Sequence, residues 1–235
     1  MTLIILTSYY LSILISIIGF GYLSSRILNI NIVSKNIALF GFFGVISMTF
    51  VSYLTNLFLA HNFTHNLTVL FIGLFFFLYG VVKKKIDTKS IYRIIFLAVL
   101  LLIFSLLSKS HDDFGWYHLP YTLNLVYSKF QFGLGHFSHG FRTPSSLFYL
   151  NSLFYLPIIK FYSFNFAQLY IFLFSLIYLY KKIFNKFNNN SLIFFYSLLS
   201  FIFISVVFYR LAEHGTDRSG QIILFIVFIF IFDIF

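Results

Sequence analysis

SSLFYLNSLFYLPIIK, residues 145–160, decides how this chain is threaded. The run is apolar enough to pass for a membrane span. Two features oppose that. A helix of this length reaches only about 24 Å, short of the roughly 30 Å of hydrocarbon in a bilayer. Pro157 also interrupts it by removing a backbone donor. The basic residues then decide the matter. Arg26 and Lys35 fall in one connecting loop, Lys83, Lys84, Lys85, Lys89 and Arg93 in a second, and Lys181, Lys182 and Lys186 in a third. Basic residues collect on one side of a membrane, and these three loops share a side only if 145–160 does not cross. The segment is therefore expected to lie on, or dip into, the membrane, with the N-terminus outside.

The composition explains why a membrane is in question. Of 235 residues, 60% are hydrophobic and 9% charged, with a mean hydropathy of +0.93. A soluble domain carries roughly 25% charged residues, so a bilayer is the natural solvent. The formal net charge of +10 then belongs to loops on the inner side, not to a nucleic-acid surface. With no cysteine, disulfides and thiolate metal ligands are excluded. MTLIILTSYY has no basic stretch ahead of its apolar run, so a cleaved signal peptide is not expected.

Apolar runs at about 3–23, 38–60, 67–82, 91–107, 164–180, 191–209 and 220 onward predict an all-α, polytopic helix bundle of about seven spans. The last, QIILFIVFIFIFDIF, is shorter than a full crossing, and the chain is expected to be a fragment. Residues 1–107 form a four-span region, 108–163 an outer segment, and 164–235 the remaining spans with a second acidic loop. This threading puts His61, His65, His111, His118, His136, His139 and His214 outside, with Asp112, Asp113, Glu213 and Asp217. Asp87 and Asp233 are the acids left elsewhere.

The outer segment opens on HDDFGWYHLP, 111–120. Pro120 suits the first turn of a helix. Leu119, Leu123, Val126 and Phe130 then share one face, and Asn124, Ser128 and Gln131 the other. This predicts an amphipathic helix lying in the interface with its apolar side in lipid. FGLGHFSHGF follows as a glycine-rich turn, and Thr143-Pro144 is expected to cap the next helix. Asp112 and Asp113 point in different directions in any regular structure. They either act on a substrate or simply solvate the loop and favour the helix start. His136 and His139 can join His111 or His118 around a metal, or lie solvated in the interface. Asn62 and Asn66 match the glycosylation sequon but sit in a tiny loop against the membrane, where the match reads as coincidence. The second outer loop, YRLAEHGTDRSGQ (209–221), either anchors the interface or meets the first loop over one pocket.

An Asp at the outer end of a span, a surface helix, a non-spanning helix and a later loop with another Asp resemble the GT-C fold glycosyltransferases. These include lipid A aminoarabinose transferases and protein mannosyltransferases. A closer likeness is to bacterial multi-span members with Asp-x-x-x-Tyr-His-Leu, then Gly-Leu-Gly, then Ser-Ser-aromatic. The counterparts here are Asp113, Tyr117, His118 and Leu119, then Gly133, Leu134 and Gly135, then Ser145 and Ser146, with Leu147 in the aromatic's place. The likeness covers roughly 110–160 and, more weakly, 209–235. Several spans precede the acidic loop where many relatives have one, and the C-terminal half of a typical member is missing.

The resemblance implies transfer of a sugar from a polyprenyl-phosphate-linked donor to a glycan, lipid or protein acceptor, on the periplasmic face of a bacterial inner membrane. It makes Asp113 the general base, with Arg142, Arg210 and Arg218 as candidates to hold the leaving phosphate. Asp112 and Asp217 would position the acceptor or a divalent cation, the one cofactor implied, and Tyr117 and His118 would touch substrate. A transporter or flippase is the alternative. Such proteins keep ionisable groups near the midplane, and these spans hold almost none.

Overall fold

The computed structural model describes residues 2–30, 36–107, 111–142, 144–184, 191–207, 213–215 and 217–234. Among them are nine α-helices and no strand: α1 (Leu3–Ile27), α2 (Ile37–Asn56), α3 (Phe63–Val82), α4 (Thr88–Leu107), α5 (Leu119–Tyr127), α6 (Ser146–Leu153), α7 (Phe166–Phe184), α8 (Ser191–Val207) and α9 (Arg218–Ile234). Asparagines start two of them. Asn36 accepts the Ala38 amide at 3.1 Å, and Asn62 the His65 amide at 3.0 Å, each satisfying a donor that the first turn leaves free. Asn62 is thus a helix cap and Asn66 is buried, so neither sequon position needs a glycan to explain it.

Helices Leu3–Ile27, Ile37–Asn56 and Phe63–Val82, with the helical stretch Lys160–Phe184, are long and apolar enough to cross a membrane. The apolar stretches of α8 and α9 are shorter. The seven expected spans therefore reduce, among the described helices, to four that satisfy both length and apolarity. Their outward faces carry Phe50, Phe71, Phe75 and Leu78, all exposed, as a lipid solvent requires.

α1 is the central post. α2 and α3 pack along it closely because glycines face backbone: a Cβ on Gly19 would overlap the Gly73 carbonyl, and one on Gly44 the Ile17 carbonyl. Lacking a hydrophobic drive between helices in lipid, such close approach supplies the packing. Tyr170 ties α7 to this post by donating to the Tyr10 carbonyl at 2.7 Å.

The two ends of the bundle differ in charge. At one, Arg26 and Lys85 line the same small cleft. Lys181 donates to Asn36 Oδ1 at 3.2 Å there and feels the charges of Asp87 and Arg93. Members of all three basic loops thus meet at one end; Lys35 and Lys186 lie outside the described residues. At the opposite end the start of α1 (Leu3, Leu6), the end of α4 (Leu106), Ile158, Lys160, Phe161 and Tyr162 line another cleft.

Two expectations for the outer segment are overturned. α5 does not leave its apolar side uncovered for lipid. Leu119 and Leu123 pack on Val126, Tyr155 and Phe164, while Tyr121 and Leu125 on another side pack on Phe148 and Tyr149. The helix ends at Tyr127, before Phe130, where Ser128 turns to an extended backbone. Nor is 145–160 one surface helix. Only Ser146–Leu153 is α-helical, about 12 Å long, and Phe148 to Leu153 are all buried against protein. Ser145, accepting the Leu147 amide at 3.2 Å, is its cap. Thr143 lies outside the described residues.

Candidate functional site

Asp113 begins a widened turn. Phe114–His118 winds as a π-helix, with the Tyr117 and His118 amides both directed at the Asp113 carbonyl (3.1 and 3.4 Å). π-helical turns inside helices are concentrated at functional sites. The Asp113 carboxylate does not cap this turn. It faces His111 Nδ1, 3.8 Å away, and its charge bears on the Tyr117 hydroxyl. Its side chain is 48% exposed, so a molecule from water can reach it.

Tyr117 and His118 are held by glycines. A Cβ on Gly140 would overlap the Tyr117 ring, and one on Gly215 the His118 ring. Gly215 also sits at φ +84°, in the left-handed region that side chains avoid. The second outer loop thereby reaches over the first. His118, buried, directs Nδ1 at the His214 carbonyl at 3.0 Å. A carbonyl can only accept, so the proton is on Nδ1 and the Nε2 lone pair is free.

His214 lies beneath, fully enclosed. Its Nε2 faces Thr122 Oγ1 (2.9 Å) and the His118 carbonyl (3.3 Å); its Nδ1 faces the Phe164 carbonyl (3.0 Å) and Asn151 Nδ2 (3.2 Å). Asn151 reaches on to Gln168, and Gln168 donates to the Glu213 carbonyl at 3.2 Å. Burial, then the neighbouring His118, pushes His214 down to about 3, so the ring is neutral. Burial also lowers His118. The Tyr117 hydroxyl is raised, first by desolvation and then by the charges of Asp113 and Asp217. Those same two charges act on His118.

The expected site residues thus divide. Asp113, Tyr117, His118 and Asp217 come together at one end of the bundle. Asp112 is exposed beside them. Arg218 follows Asp217 as the first residue of α9. Arg142 turns aside, donating through Nε to the Gly135 carbonyl at 3.1 Å, and lines an open cleft of about 450 Å³ with Tyr121, Phe130 and His136. Arg210 lies outside the described residues. His136 and His139 are exposed on separate short turns and do not join the one group of metal-ligand type among the described residues, His111, Asp113 and His118. Of the two readings of His136 and His139, their exposure fits the solvated one and not a metal site built on them.

Thr122, Asn151, Gln168, Gly140 and Gly215 were not anticipated. Asn151 and Gln168 carried a signal: each is a lone carboxamide in an apolar run, a position that burial tolerates only with partners.

Fold and site together define, among the described residues, an all-helical chain with four helices long and apolar enough to cross a membrane, which carries a polar, half-enclosed centre at one end. Within that class the chain belongs to the family described as Domain of unknown function (DUF8201), which it matches over residues 1–235. No curated protein and no solved structure matches it.

Proposed function

We propose that this chain is a membrane glycosyltransferase of GT-C type, moving a sugar from a polyprenyl-phosphate-linked donor to an acceptor hydroxyl. One observation carries the reading. Two carboxylates from separate loops, Asp113 and Asp217, act on a single Tyr-His pair, at the end of the bundle away from the basic loops. Since basic loops face the cytoplasm, the pair faces the outer side, the periplasm of a bacterial inner membrane. α4, α8 and α9 complete a seven-span bundle.

In the reaction, the acceptor oxygen attacks the anomeric carbon and its proton passes to Asp113. The bond from that carbon to the phosphate oxygen breaks, its electron pair leaving with the lipid phosphate, and the sugar is inverted. Arg218 is placed by its neighbour Asp217 to meet that phosphate, which a guanidinium can grip through two parallel hydrogen bonds. Tyr117, whose hydroxyl feels the Asp113 charge, stands beside the base.

General-base assistance contributes about 10²–10⁴-fold. Asp113→Asn should therefore cut transfer of labelled sugar from polyprenyl-phosphate donors, in vesicles holding the chain, by that factor, with membrane insertion unchanged. Full transfer by this variant would end the assignment.

A further inference from the structure

We propose that His111, Asp113 and His118 bind a zinc-like divalent cation. The three side chains each offer one ligand atom, and these atoms lie within 4.8 Å of one another. Bonds of about 2.0–2.1 Å in a tetrahedral site set ligand atoms roughly 3.3 Å apart, so closure needs only small rotations. The His111 and Asp113 side chains are 35% and 48% exposed and stand on a turn, where such rotations meet little resistance. His111 would exchange for the ion the hydrogen bond that its Nδ1 accepts from the Asp113 amide at 3.1 Å.

His118 supplies a second, independent observation. It is buried and already in ligand form, with Nδ1–H committed to the His214 carbonyl and Nε2 bare. Donation of the other ring N–H to a carbonyl or carboxylate accompanies almost every metal-binding histidine, fixing tautomer and ring orientation. Gly215 and Phe148 hold this ring from two sides.

The donor set selects the ion. Two imidazole nitrogens and one carboxylate oxygen, in a chain without cysteine, suit zinc rather than magnesium or calcium. Three protein ligands leave the fourth position of a tetrahedral ion open to water or substrate, the arrangement of catalytic rather than structural sites. A carboxylate that binds through one oxygen keeps the other for a proton, so the site is compatible with Asp113 as base but does not rest on it.

The test uses the full chain purified in detergent and stripped with chelator. Zinc chloride is titrated calorimetrically, and bound metal is counted by mass spectrometry. About one zinc per chain is expected. His111→Ala and Asp113→Asn should each weaken binding at least tenfold, and the double variant His136→Ala/His139→Ala should bind as the parent does. His118→Ala removes a core side chain and can unfold the protein, so the two half-exposed positions carry the test. Absence of stoichiometric zinc, unchanged affinity in both single variants, or loss confined to the 136/139 variant would overturn the site. A chain that binds zinc but moves no sugar upholds this site and removes only the transferase reading; a chain that moves sugar but binds no stoichiometric zinc does the converse.

Discussion

Two buried histidines stand on either side of α6, and they are used differently. His61, behind Ser152, has its Nδ1 2.6 Å from the Ser152 hydroxyl, which in turn lies 2.7 Å from the Tyr149 carbonyl. Beside it Asn66 donates to three carbonyls, His61, Ser152 and Tyr155, at 2.8, 2.8 and 2.9 Å. This cluster extends to the half-buried His65 and Thr55 but reaches no carboxylate, and it clamps α3 to the segment after α6. His214, behind Asn151, is equally enclosed, but its carbonyl meets the His118 ring, and the His118 amide is directed at the carbonyl of Asp113, whose side chain is half-exposed. Neighbouring residues of one short helix thus serve a clamp and a centre that leads to an acid. Burial of a histidine by itself says nothing of function; what matters is where its chain of partners leads.

The largest expected effect breaks the clamp. Asn66→Ala removes the two N–H groups shared among these carbonyls; the Ser152 carbonyl keeps the Tyr155 amide at 3.3 Å, and each buried carbonyl left unsatisfied costs about 1–3 kcal/mol. The variant should lose on the order of 3 kcal/mol or more of stability, read as thermal unfolding in detergent. Next, Gly215→Ala strikes the centre, forcing a side chain into left-handed backbone and onto the His118 ring. A loss of about 2 kcal/mol is expected, together with weakened zinc binding, which Asn66→Ala should not show in its folded fraction.

Acid should act on both sides alike. His61 and His214 sit at about 3 when folded, His61 lowered chiefly by burial and then by His65, whereas each titrates near 6.5 when unfolded. Between those values the unfolded chain binds more protons, so acidification favours unfolding. Stability is whole above pH 6.5 and falls as pH drops toward 3, by about 1.4 kcal/mol per unit for each histidine. Denaturation measured across that window checks the slope; a flat profile would show that neither ring is held neutral. The smallest effect is expected from His136→Ala/His139→Ala, within about 0.5 kcal/mol, since both side chains are exposed.

The sequence made much of the architecture legible. Apolar runs announced the all-helical bundle, and Arg26, Lys85 and Lys181 announced which loops share an end. That threading put Asp113 and Asp217 on one side but left open whether their loops meet. The partners of the apolar faces were not legible. Leu119, Leu123 and Val126 repeat as they would for a helix resting in lipid, but Tyr155 and Phe164 cover them instead; the spacing is the same for either neighbour. The helix of 146–153 was obscured for a similar reason, since Phe and Leu suit lipid and protein equally. Only Asn151 and Ser152, polar inside that run, marked it as enclosed by protein.

The turn at 114–118 has a consequence for how such a centre can arise or be lost. A π-helical turn holds one residue more than an α-helical turn, and each residue advances a helix by about 100°. Deleting one residue from FGWYH would let an ordinary helix run straight into α5 with the phase of Leu119, Leu123 and Val126 preserved. Tyr117 and His118 alone would lose their orientation, leaving an intact scaffold with a silent centre.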